Sequence, residues 1–320
     1  MKNKNFYLMH KNIKVLKVEI LLYYQTLTFG NIEIINKEHL PIILKDEKGD
    51  LIKWFKNRFC DTKTNEIFKI LDLINYNQND KNLKSLYTLS FANYCVSLND
   101  NYWFNPEEEY IIENSIPTRG DIDNFIIKPT TWENINYFNN KFNPTIGDII
   151  EKVYYKQIRD FDDKLDYKTP DLLIFGLKNK RYITENNKIY VKKFANKKHL
   201  EKCFQIYEKL KEMKSPFVLE QEFNFEKEYV KSKFFLNKDE DYVESFEIIM
   251  PFMDKYKNQD DYKFLKQCAI KLGCPRHEIN KYFKTIKRLE KELGIKYDNT
   301  NIGFIVDANT NKIKRCAPIR

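Results

Sequence analysis

The sequence predicts an α+β protein of two or three subdomains, on three observations. The chain has 320 residues, more than one hydrophobic core usually fills. Segments of alternating polarity stand at its start and in its middle, and helical periodicity dominates its last quarter. Glycine and proline are scarce, at 8 and 10, against 21 tyrosines and 24 phenylalanines, so the composition is that of a packed interior and excludes a disordered chain. The text divides into an N-terminal α/β subdomain at 1–150, a small antiparallel-sheet lobe with one helix at 151–255, and a helical lobe ending in a hairpin at 256–320.

Strand-like segments open the chain at Tyr7–Leu8, Val15–Leu22 and Ile32–Ile35, and "HLPIIL" then marks a turn by its proline. Helical steps follow in "LIKWFKNRFCDTKTNEIFKILDLI". Ile52, Phe55 and Phe59 share one face; Ile67, Ile70, Leu71 and Ile74 share another, with Asp61 or Thr62 as the cap of the second helix. The polar run "NYNQNDKNL" reads as a loop, and residues 106–168, punctuated by Pro106, Pro117, Pro129 and Pro144, read as irregular chain over the surface. In the middle, "KIYVKKF" is a strand. "KKHLEKCFQIYEKLKEM" is a helix with Leu200, Cys203, Phe204, Tyr207 and Leu210 on one face, and Phe217 to Phe252 supplies three or four strands. Beyond Asp254, one helix ends at Gly273. A second starts with Pro275, carries Ile279, Tyr282, Phe283, Ile286, Leu289 and Leu293 at helical spacing, and stops at Gly294. Ile302–Val306 and Lys312–Cys316 close the chain as a hairpin around "DANTN".

Six cysteines are scattered without a CxxC pair or histidines at ligand spacing, which argues against zinc. The N-terminus mixes charges into every apolar stretch, so it predicts neither a signal peptide nor a membrane span, and the expected location is cytoplasmic with free thiols. The formal net charge of +9 favours a polyanionic partner only weakly, because the excess of Lys, Asn, Ile and Tyr is also what an AT-biased genome produces.

Several motifs, "YLMHKNIKVLKVEI" with "INKEHLPI", "VSLNDNYWFNP", "WENINYFNNKF", "TPDLLIFGLKNKRY" and "NIGFIVDANTNKIKRCAPI", follow one another in the order found in the HipA-like kinases. The chain resembles the short Gram-positive and phage-type members over nearly its whole length. The resemblance implies a HipA-like, protein-kinase-like fold with Trp103 and Trp132 as core anchors, and a C-terminal lobe cut short.

A kinase of this type needs a lysine on the phosphates, a carboxylate fixing that lysine, an Asn and an Asp on magnesium, and an Asp as base. By the resemblance, Lys192 takes the lysine position, although Lys192 and Lys193 read equally well as exposed strand residues. The helix register then offers Gln205 where a glutamate is needed, with Glu201 and Glu208 one turn either side. The loop keeps Pro170, Asp171 and Gly176 but has Thr169 and Ile174 at two other family positions. Asn301 matches the magnesium-binding Asn, and counting back from it places Lys296 at the base position. Asp298 is a poorly spaced substitute, and the chain stops at Arg320 before the second metal-binding Asp. Read alone, "DNTN" is an Asx-rich entry to a hairpin.

The expectation is therefore a catalytically defective pseudokinase, with no cofactor, that binds a cytoplasmic protein or protein–RNA target, with RNA contact and no membrane. A mobile-element-encoded inhibitor such as an anti-CRISPR fits that description. The predicted partner surface is Lys281, Lys284, Lys287, Arg288 and Lys291, opposite Ile279, Phe283 and Ile286; an ordinary solvated helix face is the plainer reading. The alternative is an active serine/threonine kinase toxin of a toxin–antitoxin pair, using Mg-ATP held by Lys192 and Asn301.

Overall fold

A computed structural model describes residues 4–23, 26–45, 51–56, 94–96, 100–112, 125–135, 180–185, 188–255, 261–297 and 302–319. It is a mixed α/β structure of small antiparallel sheets with few helices, and the chain divides into two compact units. The first comprises Met1–Lys37, Leu51–Leu98 and Tyr102–Ile183; the second comprises Glu38–Asp50, Asn99–Asn101 and Thr184–Arg320.

In the first unit, β1 (Lys4–His10), β2 (Ile13–Tyr23), β3 (Thr26–Ile34) and β4 (Tyr102–Pro106) form an antiparallel sheet in the order β3-β2-β1-β4. Its register explains why these segments alternate. Phe6 lies opposite Val18, and Leu8 lies between Leu16 and Phe104, so one face is a continuous buried layer. Helix α1 (Leu51–Lys56) adds Phe55 to that layer, edge-on to Phe104 at 5.4 Å between ring centroids. The opposite face carries Met9 and Trp103, and against them pack Trp132 and Ile135 of the short helix α2 (Trp132–Ile135). Three polar links position α2: Asn12 Oδ1 accepts from the Trp132 amide, Asn105 Oδ1 accepts from the Thr130 amide, and Asn105 Nδ2 donates to the Thr130 carbonyl.

The stretch expected to be irregular therefore contains ordered elements, namely β5 (Tyr110–Ile112), β6 (Phe125–Ile127), which pairs with β5, and α2. Each is three or four residues long, too short for a period to register in sequence. The second helix expected around Ile67–Ile74 lies outside the described residues.

β7 (Lys180–Glu185) spans the boundary at Ile183, and the second unit continues with β8 (Lys188–Phe194), α3 (Lys197–Glu212), β9 (Gln221–Asn224) and β10 (Tyr229–Lys233). The sheet order is β7-β8-β10-β9. Asn196 caps α3 by accepting the His199 amide. Only Leu200, Ile206 and Leu210 of α3 are buried. Cys203 and Tyr207 are half-buried and Phe204 is 39% exposed. The predicted apolar face is thus corrected. Phe204 and Tyr207 meet Phe223 of β9, while the turn bearing Ile206 and Leu210 lies in the main core with the final helix, so α3 serves two neighbours.

Three strands, not four, follow Phe217: after β11 (Glu240–Glu244) the chain becomes helical in α4 (Ser245–Ile249) and a 3-10 turn at Met250–Lys255. The apolar run there does not distinguish strand from helix by period. The capping box decides it: the Glu244 side chain takes the N3 amide and the Glu247 carboxylate takes the Glu244 amide.

Helices α5 (Asp261–Lys271) and α6 (Arg276–Leu293) form the core with β12 (Gly303–Asp307) and β13 (Lys312–Cys316), which stack beside β11. Between α5 and α6 the Cys274 amide donates to the Ala269 carbonyl and the Gly273 amide to the Ile270 carbonyl. This closure needs a left-handed residue, and Gly273 has φ 105°. The Ile313 amide of β13 then holds the turn by donating to the Leu272 carbonyl. Pro275 is the cap of α6 rather than its first residue, and Gly294 ends it at φ 62°. A second glycine is fixed by space alone: a Cβ on Gly303 would run into the ring of Tyr242 across the β11–β12 pair.

Candidate functional site

The described candidate residues fall in two places: the lysines of β8 and the outer face of α6. On β8, alternation assigns side chains to faces. Val191 is buried and shares its face with Lys193. Across the sheet Lys193 lies opposite Val230, and Val230 opposite Phe223, which meets α3. Lys193 therefore stands on the helix side. Electrostatics agree, since the Lys193 ammonium contributes to holding the His199 imidazole below its ordinary range, after burial as the largest cause, and it opposes the rise that burial imposes on the Cys203 thiol.

Lys192 projects from the other face. It lies opposite Lys231, its ammonium sits 4.9 Å above the Tyr229 ring, and that of Lys231 sits 4.7 Å above Tyr190. Lys231 also pairs with Glu222 of β9 at 3.8 Å. The helix residues expected to approach Lys192 belong to α3, on the side of Lys193, and Gln205, Glu201 and Glu208 are all exposed. Glu208 lies 3.9 Å from Lys211 on its own helix. Motif position alone singled out Lys192; the buried Val191 is the signal that separates the faces of the two neighbouring lysines.

The segment after α6 is anchored by Glu290. Its Oε1 accepts from the Tyr262 hydroxyl and from the Tyr297 amide, each at 2.9 Å, and Tyr297 is buried. Lys296, beside this anchor, is exposed. Asn301 and Asp298 lie outside the described residues, as do Thr169, Pro170, Asp171, Ile174 and Gly176. The turn "DANTN" has a structural explanation. Asp307 Oδ1 accepts from the amides of Asn309 and Thr310, which, set against burial, hold its carboxyl below the usual range, and Asn311 donates to the carbonyls of Glu38 and Leu40.

On α6 the sequence pattern forces the display. Ile279, Tyr282, Phe283, Ile286 and Leu289 are buried, so at 3.6 residues per turn their complement faces outward. Lys281, Lys284, Lys287, Arg288 and Lys291 are all exposed, joined by His277 and Asn280, which were missed by attending to charge alone. The four lysines fall within about 120° of arc and span about 15 Å along the axis. Arg288 is committed within the chain: its Nε donates to Glu292, and the same carboxylate pairs with Lys209 of α3 at 2.9 Å. Of the helix's other acids, Glu290 turns inward and Glu278 is half-buried at the flank.

Among the described residues no group of three His, Cys, Asp or Glu is placed to hold a metal ion, and no helix is long and apolar enough to cross a membrane. Five described cysteines, Cys95, Cys203, Cys268, Cys274 and Cys316, are free thiols.

No family model matches this chain, and no curated protein does. Among solved structures it is similar to the proinflammatory kinase CtkA of Helicobacter pylori, with 19% sequence identity over 44% of this chain and a TM-score of 0.34. The matched part spans 53% of the CtkA chain.

Proposed function

We propose that this protein acts by binding rather than by phosphoryl transfer, and that the outer face of α6 contacts a partner with an extended negative surface, a nucleic acid or a protein–nucleic-acid assembly. The observation that carries this reading is the exposed row of Lys281, Lys284, Lys287 and Lys291 on a helix whose other side is fixed in the core. Such a row attracts polyanions and releases their counterions on contact. The missing chemistry supports it from the other direction. Lys192 is on the sheet face away from α3, no glutamate stands at the matching position of that helix, and a lysine, Lys296, occupies the expected base position.

The test is recovery of bound protein and nucleic acid from cells with the wild type and with a Lys284→Glu, Lys287→Glu, Lys291→Glu variant. The variant loses the partner and keeps its melting curve, because exposed helix charges contribute little to stability. Incubation with radiolabelled ATP and magnesium gives no labelling above a Lys192→Ala control. Silent reversals together with Lys192-dependent labelling would replace this reading with the kinase toxin.

A further inference from the structure

We infer that α5, the Gly273 turn and α6 form a helix-turn-helix, and that the partner of the α6 face is the major groove of duplex DNA. This deepens the proposed function and rests on its reading of α6. The arrangement is two packed helices joined by a short glycine-bearing turn, of which the second is longer and carries the cations. Each position such a motif needs is filled for a physical reason. Ala269 is fully buried on α5 within the core that α5 and α6 share, Gly273 supplies the left-handed turn, and Ile279 is fully buried in the first turns of α6. Cys274 is buried within the turn, and the bond from Ile313 to the Leu272 carbonyl fixes the turn to the sheet. The helix pair is thus held from behind while its outer face is open to a groove.

What the outer face offers matches duplex DNA by chemistry and order. In this motif the N-terminal residues of the second helix meet base edges, and flanking cations meet phosphates. The exposed side chains at the N-terminal end of α6 include Arg276, His277 and Asn280, of which Arg and Asn are types that pair with guanine and adenine edges, and Lys281, Lys284, Lys287 and Lys291 follow. The wide major groove of B-form DNA admits a helix, whereas the deep, narrow groove of duplex RNA does not. An RNA duplex is therefore the discriminating control.

The experiment uses the full chain and fluorescence anisotropy with a labelled mixed-sequence DNA duplex of about two helical turns. It compares an RNA duplex of the same sequence, and a DNA duplex whose cytosines carry glucosylated hydroxymethyl groups filling the major groove. The expected result is tighter binding to plain DNA than to either control, with affinity falling steeply as salt rises. Replacing Lys284, Lys287 and Lys291 by Ala makes the log–log salt slope shallower by about 2.7, at roughly 0.9 per phosphate contact. If RNA and glucosylated DNA bind as well as plain DNA while the slope still falls, the helix-turn-helix is overturned and α6 remains a general polyanion contact. A slope unchanged by the three substitutions overturns both. Absence of DNA binding at low salt overturns the DNA assignment, and the cell recovery experiment then decides the α6 reading by itself.

Discussion

Replacing Trp132 by alanine tests the placement of the first unit's aromatic anchors. Trp132 is 4% exposed and stacks on Trp103 at 6.4 Å between centroids and 29° between planes. Burying a ring of this size removes about 150–250 Å² from water, which at about 25 cal/mol per Å² is roughly 4–6 kcal/mol. Measured truncations of buried tryptophan centre on about 3–5 kcal/mol because surroundings partly collapse. Trp132 belongs to a four-residue helix, which is free to settle into the void, so the lower part of that range applies. Trp103 is fully buried in β4, and its indole N–H donates to the Lys11 carbonyl at 2.7 Å. Its loss belongs at the upper end, with about 1 kcal/mol more for the carbonyl left without its donor.

The assay is thermal and urea unfolding followed by far-UV circular dichroism, since tryptophan fluorescence changes with the substitution itself. For a cooperative unit of this size, 3–5 kcal/mol lowers Tm by roughly 6–20 °C. The double variant adds a check, because stacking contributes about 0.5–1.5 kcal/mol beyond burial, so the two losses fall short of additivity by that amount. A Trp132→Ala protein with an unchanged Tm would refute the stacking of α2 on β4.

Three further outcomes follow from single contacts. The Lys17 ammonium and the Tyr7 hydroxyl both donate to Glu107, holding its carboxyl down to about 2 from 4.5. That contribution is present above about pH 4.5 and is lost as pH falls toward about 2, so Glu107→Gln lowers stability at neutral pH and flattens its fall in that window, and the wild type and variant converge at the acid end. Gly303→Ala forces the Tyr242 ring off β12 and costs roughly 1–3 kcal/mol, as overpacking does; a neutral result in urea would show that the ring has room to move. Lys193→Ala removes the cation beside His199 and raises that imidazole's pKa by NMR titration, while Lys192→Ala leaves it in place; the reverse would exchange the faces assigned to the two lysines.

The elements that the sequence made legible are those whose period and punctuation agree. On α6 a cap, an unbroken apolar stripe and a terminal glycine all point to the same span, and the structure keeps it. The C-terminal hairpin was legible because Asp307 satisfies the Asn309 and Thr310 amides locally, whereas the reach of Asn311 to Glu38 and Leu40 was not. What escaped was decided by neighbours distant in sequence. Phe204 looks like a core residue by spacing, yet it lies over Phe223 at the edge of a small sheet and stays 39% exposed, while Ile206 turns to the main core. Residues 245–252 fell at the end of a stretch expected to hold three or four strands, because an apolar run has no period of its own, and the pair Glu244 and Glu247 makes Ser245–Ile249 helical. At the candidate site the basic residues of α6 were legible by number and the i,i+4 spacing of Arg288 and Glu292 was there to be read, but the approach of Lys209 to the same carboxylate from another helix was not.

The commitment of Arg288 to Glu292 bears on how one helix can be a structural beam and also carry the proposed binding face. Like charges one turn apart on α6, such as Lys284 with Arg288 and Lys287 with Lys291, repel by a few tenths of a kcal/mol each. The Glu292 carboxylate offsets part of this by pairing Arg288 one turn away and Lys209 across to α3, so it holds Arg288 in place and lowers the cost of its charge. Most of the anchoring energy lies on the opposite side, in Tyr282, Ile286 and Leu289, where each buried side chain contributes about 1.5–3 kcal/mol. The cations are therefore free to be selected for a partner without threatening the fold. It follows that charge reversals on the lysines report on binding, whereas Ile286→Ala, which opens the core beneath them, destabilises the helix and removes binding only as a consequence of unfolding.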